Sequence, residues 1–592
     1  MKKHLIILVT LLIISYQGIT QCQILDYDGI VELRDSLTDH FPDICKQVII
    51  GSSVWENDIV ALKFSDNVNI DEAEPEILLT WCIHGDEQNP EQVAMKLSRQ
   101  LCLNYNNDPQ ITDLINNREI WIIPMLNPDG FIGDFGFRTR TNANHVDLNR
   151  NSGYMWNPEF GFQYNPSPYS EPESKAIRDF ILARNFNIMV DYHSGLQGII
   201  YPWYYKTDQC PDYTEILHLA NQYDAESGYP EGEFAVTSGS DLYLTNGSLV
   251  EFAYGALGIY AYSVELMDFN NIQWNDCELL NINLPSILMM IQKAGEGITG
   301  LITDANSGAP IPAKIEIQDR VPSYTGTAHG DYHRFLLPGN YTISVSANGY
   351  QTQTSDVVVT SGSAIIKDFQ LLPEEQYSAQ KIITCRNLNN YNDPATTWNA
   401  LGMNDGLKYA IGDTGYVVLD MGAAIVPISG NDVTVHGNAS GANNAFELFY
   451  SNSIDGPWNS LGTGNSTTSF DIGNVTNARY FKLEDNGNGP GNVEGAGFNL
   501  DAITASDINA GVNQVIAEYD ISVYPNPTTG VIYITQSNMV DYKELRVYNI
   551  NGSLILQNKE VNSIDLSNLS PGTYFLQIFT ESAIVTHKII KQ

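Results

Sequence analysis

Ile77-Leu-Leu-Thr-Trp-Cys-Ile-His84-Gly-Asp-Glu87 is an aliphatic run that stops on a polar tetrapeptide. A short apolar run of this kind, bounded by polar residues, reads as a strand buried on both faces. Its end delivers a histidine and a glutamate with two residues between them. Three further runs have the same character: Ile120 to Pro124, Ile188 to Tyr192 and Tyr260 to Val264. Between the strands, Pro90 to Leu103 and Pro172 to Arg184 read as helices. The second is opened by Ser170 with Glu173 three positions on, the spacing of a capping box. This alternation predicts an α/β layer architecture over residues 23–297.

Beyond residue 298 the pattern changes. Residues 298–373 carry short alternating strands, among them Tyr341-Thr-Ile-Ser-Val-Ser, preceded by the turn Pro338-Gly339. They predict a small β-sandwich. Residues 378–506 are rich in Gly and Asn, with Gly415-Tyr-Val-Val-Leu-Asp and Arg479-Tyr-Phe-Lys-Leu-Glu-Asp as the clearest strands, and predict a second sandwich or jelly roll. A compact β-module closes the chain over 517–592. The fold class expected is therefore α/β followed by three all-β modules.

With 592 residues the chain exceeds a single core, since domains usually hold ~100 to 200 residues. Apolar residues make up 43% and charged residues 17%, which suits folded β-rich extracellular protein rather than disorder. A formal charge of -39, from 69 acidic and 30 basic residues, repels phosphate backbones, so no nucleic-acid partner is expected. The acidity reads as a solvated surface, with calcium binding in the β-domains as the other reading. Met-Lys-Lys-His followed by apolar Leu5 to Ile14 predicts a secretory signal over residues 1–20. No later stretch reaches the ~20 apolar residues of a membrane helix, so no transmembrane segment is expected. Seven cysteines lie scattered without a CxxC pair, which argues against a thiolate zinc site. Their disulfide pairing cannot be read from spacing.

A hydrolytic zinc site takes three protein ligands, commonly imidazoles and a carboxylate, and keeps a fourth position open for water. His84 and Glu87 supply two. The third must come from a distant segment, and Asp191-Tyr-His193-Ser-Gly, at the end of another strand, is the best candidate. His40, His145 and His218 are the competing histidines, of which His145 and His218 read as surface residues.

These residues resemble the zinc carboxypeptidase family, the funnelins, across the first region. The family's HxxE pair looks like His84 and Glu87, and its strand-borne histidine like His193. Its NPDG turn stands as Asn127-Pro-Asp-Gly130, and its substrate-clamping segment resembles Arg140-Thr-Asn-Ala-Asn-His-Val-Asp-Leu-Asn149-Arg150-Asn. Tyr243 precedes Glu265 by 22 residues, as the family's mobile tyrosine precedes its catalytic glutamate. The resemblance implies a mixed-sheet catalytic domain holding one Zn2+ on His84, Glu87 and His193. Glu265 would be the general base and Arg140 the cation for the developing oxyanion, with Arg138 as a rival. Asn149 and Arg150 would bind a terminal carboxylate under Tyr243, and Asp147 would orient His84.

The side-chain pocket is less legible. Tyr204 stands at one place where relatives carry a selecting acid, and Val250 at the pocket base. These favour apolar or aromatic C-terminal residues, while neighbouring Glu251 keeps a basic preference open.

The second region resembles the transthyretin-like domain of the N/E branch, through Gly330-Asp-Tyr-His-Arg-Phe-Leu-Leu-Pro-Gly339 and Asn348-Gly-Tyr350. That branch generally lacks a long inhibitory pro-segment, which implies activity on secretion. The third is loosely similar to galactose-binding or discoidin-like jelly rolls, through Ser453-Ile-Asp-Gly-Pro-Trp458 and Gly497-Phe-Asn-Leu-Asp-Ala502, which makes cell-surface glycan one candidate partner. The last resembles the C-terminal sorting domain of the type IX secretion system, through Val523-Tyr-Pro-Asn-Pro-Thr-Thr-Gly530 and Leu569-Ser-Pro-Gly-Thr-Tyr-Phe575. It implies a Gram-negative bacterium of the Bacteroidetes type, a protein secreted or attached to the outer surface, and the type IX machinery as partner. The expected substrates are peptide or protein C-termini. Alternatives are a zinc peptidase or amidase acting on peptidoglycan stem peptides, and a non-catalytic surface-binding protein on the same scaffold.

Overall fold

A computed structural model describes residues 24–87, 90–157, 167–268, 276–387, 397–412, 414–439, 445–486, 497–508 and most of 521–591. The expected signal segment lies outside the described residues. The first region is built on an eight-stranded mixed sheet. Its strands are β1 (Cys45–Ser52), β2 (Asp58–Phe64), β3 (Glu76–Trp81), β4 (Glu119–Ile123), β5 (Phe186–Gly195), β6 (Gln197–Tyr201), β7 (Ala235–Ser238) and β8 (Tyr260–Asp268). They stand in the order β1-β2-β4-β3-β5-β8-β6-β7. The central strands β4, β3, β5 and β8 run parallel, and β1, β2 and β6 add antiparallel pairs at the flanks.

Helices cover this sheet: α1 (Tyr27–His40), α2 (Pro90–Asn104), α3 (Pro109–Asn116), α4 (Pro128–Ile132), α5 (Pro172–Ala183), α6 (Tyr213–Glu226), α7 (Gly239–Leu242), α8 (Leu249–Leu257) and α9 (Asp276–Lys293). Strands β3 and β4 are buried at every residue, because layers lie against both faces. The four expected strands and two expected helices are present with shifted ends. The capping box at α5 is not formed. The N-cap position is Glu171, without a side-chain cap bond, and Ser170 Oγ donates instead to Glu171 Oε1 at 2.8 Å. Glu173 is drawn inward, accepting from Val54 N and Asn142 Nδ2.

From β3 the chain steps to β4 on one side and then crosses to β5 on the other. The order thus reverses between β3 and β5, which opens a crevice at their carboxyl ends, where α/β sheets place ligands. His84 and Glu87 follow β3, and His193 lies near the end of β5.

Residues 297–371 form two four-stranded sheets around their own core, which includes Ile302, Ile315, Tyr332, Ile343 and Val345. Residues 377–505 form two five-stranded sheets. Their buried side chains, Ile382, Cys385, Val417, Phe446 and Phe498 among them, belong to one continuous apolar cluster with the core of the first region. Residues 511–592 group as a separate compact unit with a three-stranded and a four-stranded sheet. Cys45, Cys82, Cys102, Cys210 and Cys385 are buried free thiols, and Cys277 is disulfide-bonded. Among the described residues no helix is long and apolar enough to cross a membrane.

Candidate metal centre

The turn after β3 is fixed from below by the NPDG segment. Asn127 Oδ1 accepts from Gly130 N, while its Nδ2 donates to Ile83 O at 3.1 Å. Gly85 sits so close to this turn that an added Cβ would lie 2.0 Å from Gly130 C. His84 and Glu87 are thereby held at the carboxyl end of β3, facing His193 on β5.

Ligand atoms of His84, Glu87 and His193 all lie within 4.8 Å of one another, and all three side chains are buried. His84 Nδ1 stands 2.6 Å from Glu87 Oε1, and His193 Nδ1 stands 3.0 Å from Glu87 Oε2. The other nitrogen of each ring is held from behind. His84 Nε2 lies 3.1 Å from Asp147 Oδ1, and His193 Nε2 lies 2.8 Å from Asp191 Oδ2. Asp191 is fixed in turn by Thr80 Oγ1, which donates to its Oδ1 at 2.7 Å. Both Nδ1 atoms therefore face one carboxylate, with carboxylates behind both Nε2 atoms. Two imidazoles and a carboxylate, each imidazole backed in this way, fit a catalytic divalent zinc.

The charges respond accordingly. Burial opposes ionisation of Glu87, but the two histidines overcome it and hold its carboxyl well below the usual range. Asp147 is depressed in the same way by His84 and Arg140. His193 is raised well above its ordinary value because Asp191 and Glu87 outweigh its burial.

Glu265 is the register partner of His193 on the adjacent strand β8. Its Oε2 is buried and has no hydrogen-bond partner, and burial pushes its carboxyl up to about 7. Arg140 reaches the same cluster: its Nε donates to Asp147 Oδ2 at 2.9 Å, and its Nη1 lies 3.3 Å from His84 Nδ1 and 3.6 Å from Glu87. Arg138 turns away to buried Glu91 at 3.1 Å and stacks on Phe131.

Asn149 bridges outward from the cluster. Its Nδ2 lies 3.5 Å from His193 Nε2, its N donates to Asp147 Oδ1, and its Oδ1 accepts from Leu249 N. Arg150 Nη2 donates to Tyr243 Oη at 3.1 Å, and Tyr243 is 58% exposed. Val250 has no exposed surface. Glu251 Oε1 accepts from Tyr204 N and Tyr205 N at 2.9 and 2.8 Å, and Tyr204 Oη donates to Ser263 Oγ.

Asp191 was quoted in the sequence only as part of the His193 segment. The readable signal is its position two residues before His193 on one strand, which places both side chains on the same face. His145 is exposed, as expected. His218 is half-buried instead, stacked on Phe335 at 6.3 Å, because the second region packs against α6. Among the described residues no group of three metal-ligating side chains falls in the β-modules, so the calcium expectation gains no support.

An α/β domain with such a centre at its strand ends, followed by β-modules, belongs to the metallocarboxypeptidase class. The comparisons agree: residues 30–285 match the zinc carboxypeptidase family, residues 297–372 the carboxypeptidase regulatory-like domain, and residues 522–592 a secretion system C-terminal sorting domain. The chain carries all three. It is 29% identical over 364 residues to carboxypeptidase SOL1 of Arabidopsis thaliana, covering 59% of this chain and 72% of that protein. The human carboxypeptidase N catalytic chain is 28% identical over 392 residues, covering 58% and 85%. Carboxypeptidase D of Anas platyrhynchos is 30% identical over 366 residues, but the match spans only 25% of that protein. Among solved structures, thrombin activatable fibrinolysis inhibitor aligns with a TM-score of 0.41 at 22% identity, over 45% of this chain and 74% of that one.

Proposed function

We propose that the protein is a secreted zinc carboxypeptidase that hydrolyses the C-terminal bond of peptides or proteins. The observation that carries this reading is the buried His84, Glu87, His193 cluster with the unpartnered Glu265 carboxylate in register beside it. Zinc held by those three residues supplies Lewis acidity and a water acidified to a pKa of about 7. Glu265 takes a proton at Oε2 and returns it to the departing amine. The guanidinium of Arg140, charged at any working pH, stabilises the negative charge that develops on the carbonyl oxygen. Arg150 binds the terminal carboxylate with its forked donors, Asn149 sets the spacing to the metal ligands, and Tyr243 covers the bound residue. Asp147 and Asp191 hold the two imidazoles with Nδ1 toward the metal.

The terminal side chain is apolar or aromatic in this reading. Glu251 is fully buried and engaged by two backbone amides, which leaves Tyr204 and Val250 as the uncharged residues at the places that select in relatives. The sorting domain directs the protein across the outer membrane of a Gram-negative bacterium, and we infer that it is removed on arrival.

The test is incubation of the purified protein with peptides that differ in their last residue, with and without a chelator, beside Glu265→Gln. Release of single C-terminal residues should cease on chelation and return with zinc. Glu265→Gln should keep its metal and lose about 10²- to 10⁴-fold in turnover. A zinc-loaded wild type that releases no terminal residue would sink the reading, and faster release of Lys and Arg than of Phe and Leu would overturn the stated preference.

A further inference from the structure

We infer that the third region positions the substrate clamp: Thr384 and Cys385 of its strand Lys381–Arg386 hold the backbone immediately following Asn149 and Arg150. This rests on the exopeptidase reading of those two residues. The chain after Arg150 lies between two supports. On one side stands the segment leading into α8, where Ser152 N donates to Gly247 O at 2.9 Å and Asn157 N donates to Asn246 Oδ1 at 3.0 Å. On the other stands the third region. Cys385 N donates to Gly153 O at 2.9 Å, Trp156 N donates to Cys385 O at 3.2 Å, and Thr384 Oγ1 donates to Gly153 O at 2.7 Å. The grip returns to the clamp itself, because Trp156 Nε1 donates to Arg150 O at 3.2 Å.

Steric contacts close the arrangement. A Cβ at Gly153 would stand 2.5 Å from Thr384 Oγ1, and one at Gly255 would stand 2.3 Å from the Tyr154 ring. Tyr154 is stacked on Trp203, one residue before Tyr204 at the pocket, and its hydroxyl lies 3.1 Å from Thr397 Oγ1. The third region therefore touches the pocket segment, the clamp segment and α8 together, and its apolar core is continuous with theirs. A module tethered only to fetch a ligand needs none of these contacts. The Ser453 to Trp458 loop, which resembles a discoidin-like motif, serves the same docking: Asp455 receives both terminal nitrogens of buried Arg178, at 2.7 and 3.1 Å. That latch lies on α5, apart from the clamp, and so provides a control.

The experiment compares full-length wild type with Thr384→Val, Thr397→Val and Asp455→Asn, reading amide hydrogen exchange, zinc content and the separate kinetic constants on one peptide. Thr384→Val removes one hydroxyl and should speed exchange at Met155 and Trp156. It should also raise KM about three- to tenfold, with kcat within about twofold and zinc content unchanged. Thr397→Val should act in the same direction through Tyr154. Asp455→Asn should lower thermal stability without moving KM or the exchange of that segment. Wild-type exchange and KM in both threonine variants, or an equal KM rise in Asp455→Asn, would overturn the inference. A wild type inactive on every peptide would count against the exopeptidase reading instead, because the exchange measurement needs no turnover.

Discussion

Single residues carry the chemistry, and their environment tells more than their identity. Glu251 is the clearest case. Burial pushes its carboxyl from 4.5 up to about 8, against the lowering effect of the Tyr204 and Tyr205 amides. Its folded-state value is thus raised, so its contribution is complete below pH 4.5 and is lost as pH rises through about 8. Glu251→Gln keeps an oxygen for both amides and presents no ionisable group. Thermal stability of wild type should therefore fall relative to Glu251→Gln across that window, and parallel curves would show that the carboxyl does not titrate there. At this scale the metal ligands were legible because two sit in one short motif and the third ends a recognisable strand. Asp191 was not, since a carboxylate two residues before a histidine has no meaning until Thr80 and His193 are seen to claim its two oxygens.

Short elements decide where those residues point. The His84 to Glu87 turn has no regular structure of its own and takes its shape from the Asn127 to Gly130 turn packed beneath it. Gly85 permits that approach, because any side chain there would meet the Gly130 and Phe131 backbone. Gly85→Ala should cost about 1–3 kcal/mol in stability by overpacking and weaken zinc binding as the ligands separate. Calorimetric titration with zinc on the folded variant checks this, and wild-type affinity would show that the turn has slack. The strand runs were readable here because burial on both faces demands continuous apolar sequence. The start of α5 was misread, because Ser170 and Glu173 bond to neighbouring segments instead of to each other.

At the scale of the molecule, the regions of the large unit are joined by buried polar contacts. Arg334 of the second region reaches buried Asp212 of the first at 2.8 Å and lies over the Tyr260 ring. Asp212 also accepts from Tyr254, Tyr260 and the Val321 amide. Arg334→Met leaves that carboxylate without its cation and should cost about 3–5 kcal/mol, much of it restored by adding Asp212→Asn. Denaturant unfolding of the single and double variants measures both. A double variant no more stable than the single one would mean that lost packing, not the stranded charge, sets the cost.

The sequence by itself determined the layer order, the zinc ligands and the succession of modules, because apolar periodicity and short-range spacing are properties of neighbouring residues. Tertiary structure alone decided which carboxylates back the histidines and which arginine faces the metal ligands. It also decided that residues 378–506 brace the clamp segment. Those relations join residues 60 to more than 200 positions apart, such as His84 with Asp147 and Gly153 with Thr384. They arise only when buried charges and backbone groups must find partners in a packed interior.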